Sequence, residues 1–137
     1  MNDKIIKRME QLERINSNIK QLDHEELAHL YELVRLYNEA LYIVGDLVAE
    51  SAYVKDTAYL ERKRIHAETV INGTGTVAMK EANAELTIHE YRKQERDANA
   101  LYIKFKNRQS AIENSIVDLR QKRNRLENEL QAVNDRR

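Results

Sequence analysis

No proline interrupts this chain of 137 residues, and its only glycines are Gly45, Gly73 and Gly75. Proline and glycine are the residues that most strongly end helices, and they also build most tight turns. A sheet-rich fold of this length needs many such turns, so the chain is expected to be all-α. A charged fraction of 34% is also what long helices and coiled coils carry.

Apolar spacing divides the chain into three helical segments. In the first, about 3–22, Ile5, Leu12 and Ile19 fall seven apart, Ile15 and Leu22 give a second line, and Asp3 is placed to cap. The second, about 24–71, opens on Asp23-His24-Glu25-Glu26, where Asp23 and Glu26 have the spacing of a capping box. Leu27, Leu30, Val34, Tyr37, Leu41, Val44 and Val48 then recur at steps of three and four. Beside them runs a second stripe of Leu33, Leu36, Ala40, Ile43 and Leu47. So wide an apolar arc must be covered on more than one side, which points to a central bundle helix or an oligomer interface. Beyond Val48 the pattern thins to Ala49, Tyr53, Leu60, Ala67 and Ile71, with Glu61-Arg62-Lys63-Arg64 between them, as in a more exposed helix.

Asn72-Gly73-Thr74-Gly75-Thr76 reads as a turn, with Thr74 or Thr76 able to cap the next helix. The third segment, about 77–134, carries the seven-residue series Val77, Ala84, Tyr91, Ala98, Phe105, Ile112, Leu119, Leu126 and Val133. In a chain 42% apolar, such a run arises by chance on the order of a few times in ten thousand per frame, so the period is meaningful. Its companion line, Ile88, Glu95, Tyr102, Gln109, Ile116, Arg123 and Leu130, mixes polar with apolar residues. A straight helix over this segment would reach almost 90 Å, so it needs a partner along its length. The expectation is one helical domain over 1–137, a long-helix antiparallel bundle or coiled coil, assembled as a homo-oligomer.

Charge and composition narrow the function classes. Net charge is zero, giving no bulk attraction to nucleic acid or membrane, although residues 90–137 hold twelve basic against eight acidic side chains. Cysteine is absent, which removes disulfide and thiolate chemistry. The first residues do not resemble a signal peptide, and Leu27–Val48, the richest apolar stretch, contains Glu32, Arg35, Asn38, Glu39 and Asp46. A soluble, cytoplasmic protein is expected, with no membrane partner.

No catalytic constellation emerges. Glu26-Leu27-Ala28-His29 matches one Glu-x-x-His half of a carboxylate di-iron site, but those sites need two halves and further carboxylates, and a solvated helix start explains the pair. His66 and His89 lie among charges, as surface histidines do. Gly73-Thr74-Gly75-Thr76 lacks the Lys-Ser/Thr ending of a phosphate loop. No metal, cofactor or enzymatic activity is expected.

Two kinds of binding residue remain. Leu27, Leu30, Tyr31, Val34, Tyr37, Leu41 and Val44 form the candidate oligomer or partner interface, since tyrosine joins an apolar body to a polar tip. Lys104, Arg108, Arg120 and Arg123 are the candidate nucleic-acid contacts, with Tyr102 and Phe105 interleaved, although acidic residues share the same helix.

The run from Tyr59 to Arg125 resembles small helical accessory proteins of bacteriophages and prophages. The resemblance lies in Glu61-Arg62, the turn Gly73-Thr74-Gly75-Thr76-Val77-Ala78, Lys80-Glu81-Ala82-Asn83-Ala84-Glu85-Leu86, and then Glu90, Arg92, Ala98, Ala100-Leu101, Arg108, Ile112 and Arg120. It implies an accessory protein in the host cytoplasm and carries over no functional residue. The expected function is non-enzymatic binding of a host or phage protein, for example to inhibit a nuclease or defence complex. The alternative is a DNA-associated accessory of phage replication or recombination, for which nucleic acid is the partner.

Overall fold

The computed structural model describes residues 2–136. Among the described residues four helices succeed one another: α1 (Asp3–Lys20), α2 (Leu27–Asn72), α3 (Val77–Thr87) and α4 (His89–Asp135). No strand occurs among the described residues, so the chain is all-α. It divides into two compact units, one of residues 1–47 with 106–137 and the other of residues 48–105.

The first unit holds the main core. Asn2, not Asp3, caps α1: its side-chain oxygen accepts the Ile5 N–H at 2.9 Å, and Asp3 occupies the first turn, where its charge complements the helix dipole. Ile5, Leu12 and Ile19 are buried along one side of α1, as their spacing requires. Ile19 joins Leu30, Leu33, Val34 and Leu36 of α2 and Leu119 of α4 in one cluster, edged by Ile15, Leu22, Tyr37 and Leu126. Three helical segments of one chain therefore share this core.

Both α2 stripes are buried here: Leu30, Val34 and Val44 of one, and Leu33, Leu36, Ala40, Ile43 and Leu47 of the other. The breadth of that arc does not by itself require a second copy of the chain, because α1 and α4 contribute to the core around it.

Asp23 does not form the expected capping box. Its carboxylate accepts the Glu25 N–H at 2.9 Å within the loop, and α2 starts at Leu27 with the Glu26 carbonyl taking the Leu30 N–H. His29 closes the loop instead. Its Nδ1 accepts the Asp23 N–H at 2.9 Å while Nε2 approaches Glu26 Oε2 at 3.1 Å. The Glu26–His29 pair is thus a clasp on the loop between α1 and α2.

In the second unit, α2 runs to Asn72 and Thr76 caps α3, its hydroxyl accepting the Met79 N–H at 3.2 Å. Gly75 turns the chain with φ +96°, a conformation that side-chain-bearing residues rarely adopt. The segment expected as one helix over 77–134 is two. Ile88 interrupts it with φ −87° and ψ 1°, although its N–H still reaches the Ala84 carbonyl. Thr87 donates its hydroxyl to the Asn83 carbonyl at 2.9 Å, a back-bond of the kind that bends helices, and the β-branched Ile88 beside it is fully buried.

Candidate interaction surface

The predicted interface residues are mostly spent on the fold. Leu30, Val34 and Val44 are buried, Leu27, Tyr37 and Leu41 are half-buried, and Tyr31 alone is exposed. Tyr31 lies 5.0 Å from the Arg123 guanidinium, so one predicted interface residue stacks with one predicted nucleic-acid residue. Arg123 is half-buried, and its Nε finds no hydrogen-bond partner. Lys104, Arg108 and Arg120 are exposed. Arg108 and Arg120 do not share a face: twelve residues at about 100° each leave them roughly 120° apart around α4. The basic residues therefore do not form one stripe.

Residues 48–105 show an unusual distribution. The seam where α2 meets α3 and α4 holds charged side chains among its apolar ones. Arg62 pairs with Glu95, and their side chains are only 16% and 26% exposed. Lys55 lies 4.6 Å from the Tyr102 ring centre, and His66 Nε2 approaches Glu81 at 3.3 Å and Glu85 at 3.8 Å. Ser51, Ala84, Ile88 and Phe105 are the buried residues of this unit.

Several large apolar residues face outward. Tyr53 is 70% exposed, Leu60 65%, Ile71 77% and, on α3, Leu86 78%; Met79 is exposed as well. At about 100° per residue, Ala49, Tyr53, Leu60, Ala67 and Ile71 fall within roughly 40° of arc on α2. Ser51, Lys55, Arg62 and Thr69 lie near the opposite side of that helix. On α3 the same geometry sets Met79 and Leu86 opposite the buried Ala84. An ordinary amphipathic pair buries its apolar stripe and solvates its charges. This unit buries Ala84, Ile88 and Phe105 yet leaves a second apolar stripe outside, and exposed apolar surface of that kind makes the stripe a candidate binding surface.

The α2 stripe was readable in the sequence as steps of four, seven, seven and four. It lacks bulky apolar residues at the intermediate turns, and that thinness reads as simple exposure. Leu86 and Met79 carried no comparable signal.

An open groove of about 570 Å3 is lined by Lys55, Asp56, Tyr59, Arg62, Arg92 and Glu95 among others. Its cations are already engaged: Lys55 with the Tyr102 ring, Arg62 with Glu95, and Arg92 with Glu85 at 3.0 Å. No cluster of three or more His, Cys, Asp or Glu suited to a metal ion occurs among the described residues. No helix among them is long and apolar enough to cross a membrane. The thin loop 73–76 is occupied by backbone: a Cβ on Gly73 would stand 3.1 Å from the Thr69 carbonyl, so the turn is closed on itself.

Comparison with known proteins gives no relative to set beside this surface: no family model, no curated protein and no solved structure matches the chain.

Proposed function

We propose that this chain is a non-enzymatic helical-bundle protein that acts by binding another protein through the outward apolar faces of residues 48–105. The observation that carries the reading is the exposure of Leu60, Ile71 and Leu86, while charged Arg62 and Glu95 occupy the seam. Burying apolar surface contributes roughly 25 cal/mol per Å2, and residues left this exposed forgo that gain until a partner covers them. The resemblance of residues 59–125 to phage accessory proteins supports a partner in the host cytoplasm, such as a nuclease or defence complex. Placing a photoreactive amino acid at Leu86 and cross-linking in the host cell tests this. A discrete adduct with a different protein, lost on adding Met79→Glu, supports the reading; no adduct beyond the chain itself overturns it.

A DNA-associated role has one observation in its favour. Lys104, Arg108 and Arg120 are exposed and make no ion pair with the described residues. Affinity for duplex or single-stranded DNA that persists at physiological salt and falls on charge reversal at these positions would support it.

A further inference from the structure

We propose that the exposed face of α2 from Ala49 to Ile71 is a self-association surface on which a second copy of the chain packs antiparallel, about a two-fold axis at Leu60. This rests on the reading that the outward apolar faces of residues 48–105 are binding surfaces, and it assigns the α2 face to one occupant.

The stripe is symmetric about Leu60. Ala49 and Ile71 are each eleven residues from it, and Tyr53 and Ala67 are each seven. An antiparallel copy centred there sets Tyr53 opposite Ala67 of the second copy, Ile71 opposite Ala49, and Leu60 opposite itself. Apart from Leu60 on the axis, every large side chain meets a small one, the alternation that lets two helix surfaces interdigitate. A two-fold interface must be self-complementary in just this sense, because each copy offers the same patch.

A parallel alignment would instead set Tyr53 on Tyr53 and Ala67 on Ala67, crowding one level of the interface and leaving a gap at another.

The area is adequate. The stripe spans 23 residues, about 34 Å of helix. With Asp56, Thr57, Lys63 and Arg64 at its edges it offers on the order of 800 Å2 per copy, the size of a standard interface. Micromolar association is the expected strength.

The test uses the purified full-length chain. Sedimentation equilibrium should give a dimer at tens of micromolar. Leu60→Glu should raise the dissociation constant about a hundredfold or more, the loss expected at the centre of an interface. Helicity and melting of the monomer should not change, since Leu60 is exposed. Direction is read by disulfide formation, because the natural chain has no cysteine. Leu60→Cys should cross-link to itself across the axis, Tyr53→Cys mixed with Ala67→Cys should form the 53–67 heterodimer, and Tyr53→Cys alone should stay uncoupled. A wild-type monomer at 100 µM, or a dimer indifferent to Leu60→Glu, would overturn the proposal, and efficient Tyr53→Cys self-coupling would overturn the antiparallel arrangement. A monomer that still forms the heterologous adduct from position 86 would sink the dimer and leave the protein-binding function standing.

Discussion

Arg62 of α2 and Glu95 of α4 form an ion pair in the seam of residues 48–105, while Leu60, two residues from Arg62, faces solvent. Breaking one partner of a largely desolvated pair strands the other charge, whereas replacing both with packed apolar groups removes the desolvation cost. Glu95→Ala is therefore expected to destabilise this unit by about 1–2 kcal/mol, and Arg62→Leu with Glu95→Leu to return it close to wild type. Urea unfolding of Arg62→Leu, Glu95→Leu and the double variant gives the coupling. Additive losses in the double variant would show that the pair contributes nothing to the seam.

Position relative to the core decides what a charge does. Leu119 is buried in the cluster shared by α1, α2 and α4, and Leu86 is open to solvent. Leu119→Asp should cost several kcal/mol, with Ile112→Asp behaving likewise. Leu86→Asp should stay within about 0.5 kcal/mol. Circular dichroism melting of the three variants checks this, and equal losses at 86 and 119 would show that the core is elsewhere.

Two glycines should respond to alanine with opposite signs. Gly45 lies within α2, and a Cβ there would meet nothing within 4 Å. Gly45→Ala is expected to stabilise by roughly 0.5–1 kcal/mol through helix propensity. Gly75 has φ +96°, and its Cβ would stand 3.1 Å from the Met79 sulfur. Gly75→Ala is expected to destabilise by about 1–2 kcal/mol, read from the melting temperatures of the two variants.

Arg35 hydrogen-bonds Glu32 and also pairs with Glu39. The bond to Arg35, reinforced by its charge, holds the Glu32 carboxyl below its ordinary range against the opposing effect of desolvation. A lowered folded-state value contributes stability above the unfolded carboxylate range, and that contribution is lost as pH falls through the folded value. The effect on stability is small because the pair is solvent-exposed. The titration itself is measurable: carbonyl NMR should show Glu32 titrating lower in the wild type than in Arg35→Gln. Identical curves would remove the assignment.

The sequence alone determined that this chain is helical and where several faces turn inward. Without proline, and with two of its three glycines in one turn, backbone propensity left little alternative to long helices. Ile5, Leu12 and Ile19, and Phe105, Ile112 and Leu119, are buried as their seven-residue spacing predicts. Spacing is a property of one helix, so it is legible without knowing the neighbours.

Tertiary structure decided which of those faces are covered. Val77 and Val133 belong to the same series as Ile112 and are exposed. Val77 lies on α3, across the Ile88 break from Ile112, and around α4 a seven-residue repeat drifts about 20° per heptad, so Val133 does not keep to the side of Ile112. Coverage also settled the two α2 stripes, buried together with residues from α1 and α4. The same rule governs the candidate site. Ala49, Tyr53, Leu60, Ala67 and Ile71 are a stripe in the sequence, but only the placement of Arg62, Lys55 and His66 in the seam shows that the stripe faces out. Local propensity fixes the helices; whether an apolar face is core or binding surface depends on what packs against it, which no single segment encodes.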